Sequence, residues 1–327
     1  MAASSFWSRL RTVQVSPARF VTLATLSFVG LIVIIPSGAL VRLTDSGLGC
    51  PDWPGCHGDV VPPLSGHAVI EYSNRIFSAI VVVVTILTWL AARRLPGGPR
   101  RIRRIAAVPA IASVLQGPLG GVTVIFDLHP LLVASHFVVS MLALAAGALL
   151  MVEARDFAAG RLRATDRRRA LLAGAALATL GGVVVTGVLV TAAGPHSGDP
   201  AVIRRFGNLE DAAAIHVRFV IAFVALGIAV GVWLLRHRPV ERAVTRLVAV
   251  FTPLLALQIA IGEYQYRHQL PWRVILVHVT IAGLLWATGA ALAWLVARPA
   301  TETAQSAVTA SVPAVPEATA ARHAAST

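Results

Sequence analysis

Long apolar runs separated by short polar connections dominate this chain. Eight of them reach the length a helix needs to cross a bilayer, about 20 residues: roughly 20 to 41, 68 to 92, 105 to 126, 131 to 152, 170 to 192, 211 to 235, 247 to 266 and 273 to 297. The pattern also repeats. A shift of 142 residues lays Asn74 on His216, Gln116 on Gln258, Gly120 on Gly262 and His136 on His278 without a gap, and the runs HFVVSMLALAAGALL and HVTIAGLLWATGAAL share their apolar positions. Self-similarity of this length marks a duplicated unit. Each unit holds four spans, an even number, so both enter the membrane in the same orientation and a pseudo-twofold axis along the membrane normal is expected.

The expected fold class is therefore all-α integral membrane, with eight transmembrane helices arranged as two pseudo-twofold-related four-helix bundles. The divisions read from the sequence are an N-terminal tail (1 to 19), a first bundle (20 to 152), a linker with a hinge (153 to 169), a second bundle (170 to 297) and a tail (298 to 327). The last is rich in Ala, Thr, Ser and Pro without periodicity, a composition expected to be disordered.

Composition agrees, with 56% hydrophobic and 13% charged residues. The net charge of +13 would suit nucleic acid, but its distribution argues against that partner. Every basic residue is Arg, and the arginines concentrate in alternate connections: 93 to 104, 155 to 169, 236 to 246, and Arg9, Arg11 and Arg19 near the start. The positive-inside rule makes these cytoplasmic, placing both termini inside a multi-pass protein of the cell membrane in contact with lipid. The intervening connections are acidic or mixed, as at 42 to 67 with Asp45, Asp52 and Asp59. The first apolar run has a basic flank but is too long for a signal peptide and lacks a cleavage site, so it reads as a retained span.

Polar side chains inside spans are costly and normally face an interior site. His216 and His278 lie 62 residues apart (278 − 216), as do Asn74 and His136 (136 − 74). All four sit near the start of a span that runs from outside to inside, about five residues in, which places them at one depth of roughly 7 to 8 Å. Two parallel helices bearing imidazoles at equal depth can hold one iron between them, the porphyrin plane running along the bundle. A lone intramembrane His is more often structural; duplication at fixed spacing favours ligation. Ser135, Ser140, Ala282 and Gly283 would leave room for a macrocycle. Gln116 and Gln258, at matched offsets, could bond a ligand imidazole or a haem substituent, or simply join helices.

The halves differ on the second helix. In HAVIEYSNRIFS, the residues His67, Glu71, Asn74 or Arg75, and Ser78 share a face. Glu71 has Ala213 as its counterpart, so the carboxylate belongs to the first half alone. It could take a proton or stabilise a developing cation, or it could form an ion pair with Arg75. Arg75 and Arg218 lie near one depth and could meet haem propionates, snorkel to headgroups or, for Arg75, pair with Glu71. In the first outer loop, CPDWPGC holds both cysteines, Cys50 and Cys56. An oxidising exterior and a short Pro- and Gly-containing turn suit a disulfide, and a metal is disfavoured with only His57 nearby. His67, two turns above Asn74, could approach a haem; His129, His196, His237, His268 and His323 read as solvated.

The run SGALVRLTDSGLGCPDWPGC leading into EYSNR, with SHF on the fourth span, IHVR on the sixth and LVHVTIAG on the eighth, resembles the haem A synthase family over residues 20 to 297. The resemblance implies oxidation of the C8 methyl of haem O to the formyl group of haem A by successive hydroxylation. It implies a haem b cofactor on His216 and His278, a haem O substrate site in the first half with His136, an essential Glu71, and a Cys50–Cys56 pair. Haem O synthase and cytochrome oxidase assembly factors become the expected partners. One departure stands out: the family often has a second histidine where this chain has Asn74, which leaves His136 alone, with solvent, or with His67 recruited. Two rival classes are a di-haem membrane cytochrome carrying electrons from quinol, which leaves Glu71 and the cysteine loop unexplained, and a transporter, which predicts broken helices or a deep central charge.

Overall fold

The structure, a computed structural model, describes residues 14–59, 62–196, 198–199, 207–237 and 240–301. The N-terminal residues to 13, with Arg9 and Arg11, and the tail from 302, with His323, lie outside the described residues. Eight helices are long and apolar enough to cross a membrane: α1 Pro17–Leu43, α2 Gly66–Arg93, α3 Arg100–Ile125, α4 Pro130–Ala158, α5 Arg167–Ala193, α6 Leu209–Arg236, α7 Arg242–Arg267 and α8 Trp272–Ala297. Among the described residues there is no strand, only two isolated β-bridges.

Local signals fix the helix starts. Ser16 accepts a hydrogen bond from the Arg19 amide ahead of Pro17, Asp166 from Arg169, and Asn208 from Glu210. Each satisfies an amide that the first turn leaves without a partner. Pro36, Pro109, Pro118 and Pro253 lie within helices, as membrane spans tolerate when neighbours satisfy the freed carbonyls.

Helices α1 to α4 close a ring, each packing on the next and α4 returning to α1. In the second half α6 packs on α5, α5 on α8 and α8 on α7, while α6 meets α7 at longer range through side chains, the Phe223 and Phe251 rings lying edge to face with centroids 6.0 Å apart. The halves meet through α1, α4, α5 and α8. Leu31, Ile35, Leu144, Ile281 and Leu285 build that seam, and the Trp286 indole donates to the Met141 carbonyl at 2.6 Å. At the cysteine-loop end Arg42 donates to the Thr191 carbonyl at 2.6 Å, and the Gly47 amide to the Gly198 carbonyl at 2.8 Å.

The Arg-rich end holds residues 153 to 169, where the sequence places a linker with a hinge. Helix α4 continues six residues past 152, because Glu153 and Asp156 are buried in ion pairs instead of marking the start of a solvated linker. Glu153 accepts from Arg101 of α3, from the Trp294 indole of α8 and from Arg298. Arg163 binds Asp156, Glu241 and the Arg298 carbonyl. Residues 298–301, assigned from composition to a disordered tail, lie along the linker, with Thr301 donating to the Leu162 carbonyl at 2.9 Å.

The Arg163 guanidinium, bonding Glu241 through two nitrogens at 2.8 Å, holds that carboxyl below its ordinary value against the opposing effect of burial. A depressed folded-state pKa contributes stability that is present above the unfolded value, about 4.3, and is lost as pH falls through the folded one. Acidification should therefore lower the thermal midpoint of the wild type more than that of Glu241→Gln, a difference absent at pH 7 to 8 in the slope, and measurable by thermal scans in detergent.

Candidate functional site

His216 lies on α6 and His278 on α8. They lie seven and six residues after the first residue of their helices, and Asn74 and His136 eight and six, a depth of about 9 to 12 Å instead of the shallower 7 to 8 Å expected from the sequence. The helices begin earlier than the apolar runs do.

Each imidazole lies against a glycine of a neighbouring helix. A Cβ added to Gly187 of α5 would meet His216 Cε1 at 3.1 Å, one at Gly262 of α7 would meet His278 Cε1 at 3.2 Å, and one at Gly120 of α3 would meet His136 Cε1 at 3.5 Å. Thr186 Oγ1 lies 3.1 Å from His216 Nδ1. That hydroxyl donates to the Gly182 carbonyl at 2.7 Å, so towards the ring it accepts. His216 then carries its proton on Nδ1 and presents a lone pair at Nε2, the form a metal ligand needs. The Nδ1 atoms of His136 and His278 are buried without a partner. Their Nε2 atoms also bond nothing among the described residues, and they are not sealed in.

The glutamines act on backbone. Gln258 donates to the His278 carbonyl at 3.1 Å and Gln116 to the His136 carbonyl at 2.8 Å and to Ser140, so each joins its helix to the turn that bears the imidazole. Of the alternatives open in the sequence, helix joining is the one this geometry displays. Among the described residues no three His, Cys, Asp or Glu side chains converge as a bare-ion site. Two imidazoles with free Nε2 atoms suit an iron whose four equatorial positions are already filled, and the donor set therefore fits a haem.

In the first half Ser37 of α1 donates to Asn74 Oδ1 at 2.9 Å. One turn above, Glu71 is buried, and both of its oxygens are engaged: Cys50 N–H donates to Oε2 at 2.7 Å and Arg75 to Oε1 at 2.6 Å. Arg75 also donates to the carbonyls of Cys50, Asp52, Pro54 and Gly55. Cys50 and Cys56 are disulfide-bonded and fully buried. Asp52 accepts from the amides of Gly58 and His57, which hold its carboxyl below the ordinary range. Glu71 and Arg75 are thus the floor on which the cysteine loop rests, and the Trp53 ring covers Gly121 of α3, where a Cβ would lie 2.7 Å from it.

Gly49 is where this loop meets α2: a Cβ there would stand 2.6 Å from the carbonyl carbon and oxygen of His67. Backbone cannot yield, so Gly49→Ala should lift the loop from the helix at a cost of about 1–3 kcal/mol. Gly231→Ala, with nothing within 4 Å, is the control. Thermal unfolding should separate the two.

Other candidates lie apart. His67 is exposed and bonds Ser46 at 3.0 Å. Arg218 is exposed and bonds nothing among the described residues. Gly283 packs near Ile35 and Leu144 in the seam between halves, away from a ligand pocket. His196 bonds the Leu270 carbonyl, and the rings of His237 and His268 stack on Trp233 and Tyr264. Ser37, Thr186 and Gly187 escaped the sequence reading. Their signal was SGALV at 37 to 41 against TGVLV at 186 to 190, a shift of 149 that the 142-residue register hides.

An all-helical membrane protein with interior imidazoles in both halves, His136 in the first and His216 and His278 in the second, is the class that fold and site define. Residues 21–290 match the cytochrome oxidase assembly protein family, and this chain belongs to it. Among its relatives are proteins named "Heme A synthase" from Geobacillus thermodenitrificans (32% identical over 129 residues), Halalkalibacterium halodurans (34% over 128) and Bacillus pumilus (36% over 126). These alignments cover 38 to 39% of this chain and 41 to 43% of the relatives' length.

Proposed function

We propose that this chain is a haem A synthase, oxidising the C8 methyl of haem O to a formyl group, with His216 and His278 as the residues that would hold a resident haem b and the first half as the substrate site. The observation that carries the reading is the asymmetry of a repeated site. Both halves pack a histidine of the last helix on a glycine and join its turn by a glutamine, but only the first half replaces the other histidine with Asn74 and adds Glu71 beneath a disulfide loop.

The bound haem b supplies an iron that accepts and returns single electrons. The rest falls to side chains. Thr186 fixes the His216 ring so that Nε2 is the ligating atom. Gly187 and Gly262 let the two ligand helices approach their neighbours closely. In the first half His136 holds the substrate from one side, in a bundle that the cysteine loop and Trp53 cover and shield from water. With water as the oxygen source and an external electron acceptor, taking the methyl through hydroxymethyl to formyl releases four protons along with four electrons, and Glu71, which keeps acceptor lone pairs beyond those used by Cys50 and Arg75, is the carboxylate we assign to accept protons from this site. The chain lies in the cell membrane with its arginine-rich connections and both termini on the cytoplasmic side. Haem O synthase, which makes the apolar substrate, is the expected supplier.

Membranes that make haem O, with and without this chain, test the reading by extraction and chromatography of their haems. Haem A only where the chain is present supports it. Haems b and O alone, from a folded haem-bearing protein, would move the assignment to a di-haem electron carrier.

A further inference from the structure

We propose that the first half leaves one axial face of its haem open and that Asn74, oriented by Ser37, serves that face as a hydrogen-bond donor to a small exogenous ligand such as dioxygen or water. The inference rests on the reading of the first half as a haem site.

Two hydroxyls at equivalent points of α1 and α5 locate Asn74 in the molecule. Ser37 opens SGALV and bonds Asn74 at 2.9 Å; Thr186 opens TGVLV and bonds His216 at 3.1 Å. Asn74 therefore occupies the place of an axial histidine in contact as well as in register. The next residues record the difference in volume. A Cβ on Gly187 would touch the His216 ring at 3.1 Å, whereas one on Gly38 would meet nothing within 4 Å. The space that the imidazole fills in the second half stays open in the first. The opposite side is unchanged, since His136 and His278 share their glycine contact and their glutamine tie.

An amide is not among the side chains that ligate haem iron, and it is shorter than imidazole. Its own chemistry is polar. Ser37 O–H donates to Asn74 Oδ1, which makes the other terminal atom the NH2 group. That Nδ2 makes no hydrogen bond among the described residues and is not sealed in. A donor beside an open coordination position favours a ligand whose distal atom accepts a hydrogen bond. His67, the other residue that could close the face, is exposed and engaged with Ser46.

The test uses the full chain purified from membranes that make haems b and O. Carbon monoxide is added to the dithionite-reduced protein, and cyanide to the ferric protein. The proposal expects one carbon monoxide per two haems, with one high-spin and one low-spin ferric signal by EPR. Asn74→His should abolish carbon monoxide binding and make both signals low-spin. Asn74→Leu should keep the stoichiometry but weaken cyanide by about 2- to 10-fold, the worth of one hydrogen bond. Two low-spin haems inert to carbon monoxide in the wild type overturn the open face, with no variant needed. Cyanide affinity unchanged in a folded Asn74→Leu protein overturns the donor role. A wild type with a single haem that His136→Ala does not remove overturns the underlying first-half reading, and the proposal with it.

Discussion

Replacing Glu153 with alanine should lower the stability of the purified protein by about 3–5 kcal/mol, the cost of leaving buried charges without their partner. Glu153 is 3% exposed and accepts from Arg101 at 2.7 Å, Arg298 at 2.7 Å and the Trp294 indole at 2.9 Å. It therefore ties α3 of the first half to α8 of the second at the point where the sequence promises a hinge. Arg298 is itself buried and would have no carboxylate left. Glu153→Gln keeps an acceptor and should cost less. The exposed i, i+4 pair Glu263 and Arg267, 57% and 72% exposed, gives the contrast, because such pairs contribute between 0 and about 1 kcal/mol. Thermal or denaturant unfolding of Glu153→Ala and Glu263→Ala should differ several-fold in effect; equal effects would show that the joint is not held by this network.

The second large effect falls on chemistry. Glu71→Ala should reduce haem A formation at least about 100-fold, the lower range for a positioned proton acceptor. The structure complicates this variant usefully, because Glu71 also carries the cysteine loop through Cys50 N–H and Arg75. Glu71→Gln separates the roles. Its amide oxygen can still accept from Cys50, so loop integrity, read by protease resistance and by the absence of titratable thiols, should persist. It has no carboxylate, so activity should fall as far as in the alanine variant. Activity retained by Gln and lost by Ala would reduce Glu71 to a loop support.

Much of this architecture was visible in the sequence because its causes are local. Spans follow from apolar run length, and the histidine register follows from duplication. The hydroxyls that orient positions 74 and 216 were hidden, since the residues between them number differently in the two halves: 74 − 37 is 37 and 216 − 186 is 30. A repeat searched without gaps cannot find them. Arg75 was legible as a cation near a possible propionate, but its capture by four loop carbonyls depends on a turn whose path no spacing encodes. The ionic joint was missed for the same reason: Glu153 and Arg298 are 145 residues apart, and composition alone makes both look solvated.

Division of labour between the halves is tested by haem extraction from purified His136→Ala and His278→Ala proteins, expressed in membranes that make haem O. With the two haems held separately, His278→Ala should lose haem b and retain haem O or A, while His136→Ala should keep haem b and lose the other. Loss of the same haem from both variants, or of both haems from each folded protein, would contradict it.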